Sequence, residues 1–172
     1  MNFNEKTVKK TTVYSGKILN LRRDDVILPD GNSAIREVVE HSGGSAILCE
    51  MDDKVLMVKQ FRYPHGESIW EIPAGKRNPS EPPEVTAIRE LEEEGGVVAE
   101  KVEKIFEVYP TPAYTEEVIH IFKAIGVKKG KVHLDDDEFL TAKWFTKDEL
   151  KKMMKDGEIK DAKTLIAINS IL

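Results

Sequence analysis

Between Gly75 and Val97 the chain reads GKRNPSEPPEVTAIRELEEEGGV, and this stretch limits the fold more than any other. Pro82 and Pro83 suit a first helical turn, where a missing N–H costs little. Gly95-Gly96 then supply a stop after about Glu94. At about 100° per residue, Glu90, Glu93 and Glu94 share one face of that helix. Val85, Ile88 and Leu91 share the opposite face and are predicted to pack on a core. The helix is poorly designed for its own stability. Glu90 and Glu94 are like charges one turn apart, which repel. They also lie toward the C-terminal end, where the helix dipole disfavours anions. Such an open breach of local rules points to a functional site. The natural compensation is a hard divalent cation, which takes oxygen ligands and neutralises clustered carboxylates.

The rest of the composition narrows the partners. At 172 residues, with 40% hydrophobic, the chain is expected to form one domain, or one domain plus an extension, around a sizeable core. The net charge is −5 and the Lys and Arg residues are dispersed, which argues against a nucleic-acid surface. Cys49 is the only cysteine, in an apolar stretch, and reads as a buried small hydrophobe. The opening MNFNEKTVKK lacks the apolar core of a signal peptide. No apolar run approaches the ~18–20 residues of a membrane span. The expectation is a cytoplasmic protein without membrane or nucleic-acid partners.

Taken in order, residues 1–41 read as strands. Thr11–Tyr14, Ile18–Arg23 and Asp25–Leu28 are followed by the turn Pro29-Asp30-Gly31-Asn32 and a returning arm, Ala34–His41. Ser42-Gly43-Gly44-Ser45 is the expected boundary, giving an extension over 1–41 and a main domain over 42–172. A second hairpin, Ala46–Cys49 with Lys54–Lys59, turns at Met51-Asp52-Asp53. Trp70–Gly75 is a short strand that leads into the glutamate segment, and Trp70 itself reads as core. Strands are predicted at Val102–Tyr109, Glu117–Ile125 and Phe139–Phe145. Thr146 and Glu149 form a capping box for a helix ending near Asp156-Gly157. Asp161 is placed to cap a last helix over 162–172. The pattern is α+β.

The glutamate segment fits G-x5-E-x7-R-E-U-x-E-E-x-G-U, with U apolar, at Gly75, Glu81, Arg89, Glu90, Leu91, Glu93, Glu94, Gly96 and Val97. That resembles the signature of the Nudix hydrolases, and the resemblance extends from about Ala46 to the end of the chain. It implies an α/β/α sandwich around a mixed β-sheet, with the signature as loop–helix–loop and a small β-rich N-terminal extension. It implies hydrolysis of a nucleoside diphosphate linked to another moiety. It assigns Glu90 and Glu94 as metal ligands, Glu93 beside them as a ligand or acting through water, and the Ala74 carbonyl as a further ligand. The cofactor implied is Mg²⁺, or Mn²⁺ in its place, with two or three ions. Gly75 is expected to allow the turn that exposes the Ala74 carbonyl. Glu81 and Arg89 are implied to support the glutamate helix from behind.

Further matches resemble the ADP-ribose pyrophosphatases within that family. Pro112 lies 15 positions beyond Val97, in Pro112-Ala113-Tyr114-Thr115-Glu116-Glu117, which departs from the subfamily's pattern at Ala113, where Gly is commoner. Gln60-Phe61-Arg62-Tyr63 and Trp70–Gly75 resemble the same group before the signature. The resemblance implies that Arg62 meets substrate phosphate or ribose, as its fork suits phosphate oxygens. It puts Glu71, Pro112 and Tyr114 in the substrate site. It also puts a water-activating base in the acidic segment Asp136-Asp137-Glu138, with Glu138 first and Asp136 second. The subfamily further implies a homodimer in which residues 1–41 reach the partner.

Two functional classes follow. One is an enzyme hydrolysing ADP-ribose to AMP and ribose 5-phosphate, with GDP-mannose or ADP-glucose as rival substrates. The other is a nucleotide-sensing module without catalysis, which the retention of Glu90, Glu93 and Glu94 disfavours. No G-x-S-x-G surrounds Ser45, and the sequence carries no P-loop and no H-E-x-x-H.

Overall fold

A computed structural model describes residues 2–131 and 139–172. The chain divides into two compact units, Met1–Gly43 with Tyr109–Val118, and Gly44–Val108 with Ile119–Leu172.

The first unit is an antiparallel sheet in the order β1 (Lys6–Ser15), β2 (Asn20–Ile27), β3 (Ser33–Glu40). The turn between β2 and β3 forms where the sequence places it. Gly31 takes φ 88°, the Asp30 carboxylate accepts from the Asn32 N–H at 3.0 Å, and the Leu28 N–H donates to the Asn32 carbonyl at 2.8 Å. Residues 109–118 belong to this unit through backbone pairing. The Val39 N–H donates to the Tyr114 carbonyl at 2.7 Å, and the Glu116 N–H to the Val39 carbonyl at 2.9 Å. Much of the buried interior is polar. Arg22 and Asp24 alternate with Val26 on the covered face of β2. The Arg22 guanidinium meets Asp24 at 2.9 Å, Glu40 at 2.7 Å and Glu116 at 2.6 Å, joining both outer segments to the central strand. Every position of β1 is exposed.

The second unit runs β4 (Gly44–Leu48), β5 (Glu50–Met51), β6 (Lys54–Arg62), β7 (Glu67–Glu71), β8 (Ala74–Lys76), α1 (Pro83–Gly95), β9 (Val97–Val98), β10 (Lys101–Val108), β11 (Ile119–Ile125), β12 (Lys128–Lys129), β13 (Leu140–Thr146), α2 (Lys147–Lys155) and α3 (Ala162–Asn169). One sheet has the order β10-β11-β4-β8 and is mixed, because β11 pairs with β4 in parallel. The other has the order β13-β6-β5, with β7 also on β6.

Strand β4 shows how the layers form. Its side chains alternate between two faces. Ala46 and Leu48 enter a cluster with Leu150 and Met153 of α2 and Ala167 and Ile168 of α3. Ile47, and Cys49 just past the strand's end, enter the other cluster, with Ala87 and Leu91 of α1. Helices thus cover both faces, the expected α/β/α sandwich. Burial pushes the Cys49 thiol up to about 12, as befits an inert core cysteine. Trp70 packs edge-on against Phe145, with ring centres 4.8 Å apart.

Three details differ from the sequence reading. Trp70–Gly75 is two strands, because β7 ends at Glu71 and β8 begins at Ala74. Pro73, between them, has no N–H to carry a ladder onward. The last helix stops at Asn169 rather than running to 172, with Ser170 as its C-cap. Gly75 does not make a turn through a left-handed backbone. It lies in β8 without a positive φ.

Candidate active site

The site is built on α1, and the helix buries an unexpected set of residues. Its covered positions are Thr86, Ala87, Glu90, Leu91 and Glu94, a stripe at the helical repeat. Val85 is exposed and Ile88 only half-buried, so the prediction that they pack on the core with Leu91 is corrected. Two carboxylates take the positions where an ordinary helix carries apolar side chains. Glu90 is 5% exposed and Glu94 2%. The helix ends as expected, with Gly96 in the left-handed conformation at φ 61°.

Strand β8 meets this face. The Ala74 N–H donates to Glu94 Oε2 at 2.9 Å. A Cβ on Gly75 would stand 1.8 Å from Glu90 Oε1, so the glycine leaves room for that carboxylate to lie against the strand where it does. Close approach, not a turn, is what this glycine provides.

Arg89 gathers the surrounding carboxylates. Its Nη1 lies 2.8 Å from Glu90 Oε1 and 2.7 Å from Glu93 Oε2, and its Nε lies 3.5 Å from Glu81 Oε1. Burial works against the charge on Arg89, but Glu90, Glu93 and Glu81 outweigh it and hold the guanidinium firmly protonated. Glu81 is fixed from its other side. Its Oε2 accepts from the Thr86 hydroxyl at 2.7 Å and from the Asn78 N–H at 3.1 Å. The Thr86 and Asn78 hydrogen bonds, with Arg89 behind them, hold the Glu81 carboxyl below its usual range.

Arg62 and Glu71 are joined directly. Arg62 donates from Nε to Glu71 Oε1 at 2.6 Å and from Nη2 to Oε2 at 2.9 Å. Glu71 is 2% exposed and also meets Lys163 of α3. Burial alone would raise the Glu71 carboxyl, but Arg62 and Lys163 outweigh it and hold it below the usual range. The hydrogen bond to Glu71 leads the causes that keep Arg62 protonated against its burial, and the negative charge of Glu94 adds to them.

Glu81, Arg89, Glu90, Glu93, Glu94, Ala74, Arg62 and Glu71 all belong to the second unit. Pro112 and Tyr114 belong to the first, where both are exposed. Asp136 and Glu138 lie outside the described residues. The sequence places Asp161 as the cap of the last helix, where its carboxylate accepts from the Thr164 N–H at 2.9 Å, but it singles out neither Lys163 nor Thr164. Lys163 reaches a partner 92 positions away, and no local pattern records that.

The donor set suits a hard divalent cation. It consists of carboxylates, two of them buried, on a helix face closed by a strand whose Gly75 leaves room for the Glu90 carboxylate. Among the described residues, no three His, Cys, Asp or Glu side chains are grouped closely enough to hold a metal ion as they stand, and Glu93 is paired with Arg89. Among the same residues, no helix is long and apolar enough to cross a membrane.

Comparison with known proteins follows the same outline. A model of the NUDIX domain matches residues 39–167, and one of the nucleoside diphosphate sugar hydrolase N-terminal domain matches residues 5–39. The chain is 44% identical to an ADP-ribose pyrophosphatase of Bacillus subtilis, over 95% of this chain and 90% of that protein. It is 41% identical to a methanol dehydrogenase activator of Bacillus methanolicus, over 96% and 91%. Among solved structures, an ADP compounds hydrolase superposes with a TM-score of 0.85 at 17% identity, over 98% and 92%, and so shares the fold. With three quarters of its length matched by the domain model and the signature glutamates packed on α1, the chain belongs to the Nudix family.

Proposed function

We propose that this protein hydrolyses the pyrophosphate bond of ADP-ribose, giving AMP and ribose 5-phosphate. The observation that carries the reading is the buried pair Glu90 and Glu94 on α1, closed by Ala74 and Gly75. The substrate follows from the 44% identity to a protein named ADP-ribose pyrophosphatase. Residues 1–41 form the extension and 42–172 the hydrolase domain.

In the reaction, water adds to one phosphorus and the bridging P–O bond breaks. The bridging oxygen leaves with the other phosphate, and two phosphomonoesters result. Glu90, Glu93, Glu94 and the Ala74 carbonyl would hold Mg²⁺, or Mn²⁺ in its place, at two or three ions. Bound there, the metal would supply charge neutralisation of the diphosphate and activation of water. Arg62 binds phosphate oxygens, and its geometry is set by the fork it makes with Glu71. Glu71 is too deeply buried to meet a nucleotide broadly, so its share in binding is exercised through Arg62. Glu81 and Arg89 hold the α1 carboxylates in place. Glu138, with Asp136 as the second choice, takes the proton from water. Pro112 and Tyr114 complete the set of residues assigned to substrate binding.

A panel of ADP-ribose, ADP-glucose and GDP-mannose, assayed for released phosphomonoester with and without Mg²⁺, tests the reading. ADP-ribose should give the highest kcat/KM, and chelation should abolish it. Preference for GDP-mannose would replace the substrate, and no turnover of any of the three would leave a sensing module. Arg62→Ala should raise KM with little change in kcat, as expected for a contact shared by ground and transition states. The protein should also be a homodimer. Val8, Val13, Tyr14 and Ile35 are exposed in a unit with little apolar core of its own. A fully active monomer in light scattering would refute that.

A further inference from the structure

The first turn of α3 grips the strand that carries Glu71. The Thr164 hydroxyl accepts from the Ile72 N–H at 2.9 Å. Lys163 Nζ lies 3.0 Å from Asp161 Oδ1 and also pairs with Glu71 Oε2. The Lys163 and Glu71 side chains are 10% and 3% exposed, whereas Arg62 is 38% exposed. Four charges therefore alternate in a row, Asp161, Lys163, Glu71, Arg62, and the row ends on the more exposed of its two cations.

A buried lysine is costly unless its charge is matched, and an apolar side chain would fill the same space without that cost. The charge is therefore the feature to explain. Glu71 Oε2 is shared between Arg62 Nη2 and Lys163 Nζ, and Oε1 takes Arg62 Nε. A carboxylate held at one oxygen by a second cation cannot rotate freely. The guanidinium that forks onto it inherits its plane. With Lys163 present, Glu71 also does not cancel the Arg62 charge alone.

We propose that Lys163 is a positioning residue for substrate binding. It holds Glu71, and through Glu71 it fixes the plane and preserves the charge of the Arg62 guanidinium that receives the diphosphate. The inference rests on the reading that Arg62 meets substrate phosphate.

Steady-state kinetics on ADP-ribose with Mg²⁺ test it with Arg62→Ala, Lys163→Met, Lys163→Arg and the double variant Arg62→Ala/Lys163→Met. Arg62→Ala should raise KM by about tenfold. Lys163→Met should raise KM by roughly three- to tenfold with kcat within about twofold, and Lys163→Arg should recover most of it. In the double variant KM should match Arg62→Ala alone, because the lysine acts only through the arginine. A raised KM in Arg62→Ala with an unchanged KM in Lys163→Met would overturn the inference, as would effects that multiply in the double variant. An unchanged KM in Arg62→Ala would instead overturn the underlying assignment of Arg62. If Lys163→Met does not fold, Lys163→Gln, which keeps a polar end, carries the same comparison.

Discussion

Arg22 and Arg89 each hold three carboxylates, but they collect them differently. Arg22 draws its partners from two, 18 and 94 positions away, on β2, β3 and the 109–118 segment. Arg89 takes Glu81, Glu90 and Glu93 from one stretch of 13 residues. The first cluster closes a fold, since a single buried cation ties together segments that nothing local would bring near. The second closes nothing of that kind. Glu81 lies in the loop before the helix, and Glu90 and Glu93 lie toward its C-terminal end, where they repel each other and oppose the helix dipole. Of these two clusters, the one gathered from afar serves architecture, and the one crowded on a single stretch against its own stability marks function. Arg22 is held firmly protonated, led by its hydrogen bond to Glu116 and offset only in part by burial.

The largest expected effect tests the functional half of the comparison. Glu94→Gln keeps the shape that accepts from the Ala74 N–H but removes one buried negative charge. Turnover with saturating Mg²⁺ should fall by roughly 10²–10⁴, or about 3–5 kcal/mol. Without metal the variant should melt at or above the wild-type temperature, because repulsion with Glu90 is relieved. A protein that melts well below wild type yet keeps most of its activity would make Glu94 a structural residue.

Arg22→Met should do the reverse. It leaves the buried Asp24 carboxylate beside Glu40 and Glu116 without their shared cation. Removing one partner of a buried ion cluster costs about 3 kcal/mol, which for a chain of this size lowers Tm by roughly 6–12 °C. At low temperature, kcat should stay within about tenfold of wild type. An unchanged denaturation midpoint would show that the cluster adds nothing to stability.

Gly75→Ala probes the edge of the functional cluster. The new methyl would fall 1.8 Å from Glu90 Oε1 and 2.1 Å from its Cδ, and only a side-chain end has to move. Displacing that carboxylate should lower kcat by about 10–100-fold while changing Tm little. A large fall in Tm with normal turnover would mean that the glycine serves the sheet and not the site.

What could be read in advance follows the same divide. The ends of α1, the Pro29–Asn32 turn and the Thr146–Glu149 capping box were legible because each is set by residues within a few positions. The spacing of Glu81, Arg89, Glu90, Glu93 and Glu94 was legible for the same reason. The buried side of α1 was misread. Apolar character favoured Val85 and Ile88, but Glu90 and Glu94 are the residues that face β8. Periodicity names the faces of a helix, and only the partner decides which face is covered. The Arg22 cluster and the Lys163–Glu71 pair could not be seen at all, since their partners lie up to 94 and 92 positions away.

The smallest effect asks whether Glu81 belongs to the architecture or only to the site. Its carboxyl is held below the ordinary range, led by the hydrogen bonds from Thr86 and Asn78. A carboxyl lowered on folding stabilises the protein fully above its unfolded pKa, about 4.3 for glutamate. That stability is lost as pH falls through the lower folded value, because the unfolded chain then binds the proton more readily. Glu71 shifts in the same direction, so wild-type Tm should decline as pH drops below about 4.5. Glu81→Gln keeps an oxygen for Thr86 and Asn78 but loses the ion pair with Arg89. In metal-free buffer at pH 7 its Tm should lie roughly 1–3 °C below wild type. The gap should close as pH falls toward 3, where the wild-type carboxylate is itself being neutralised. A gap of constant size from pH 7 to pH 3 would mean that the Glu81 charge is irrelevant to stability, and Arg89 would then serve Glu90 and Glu93 alone.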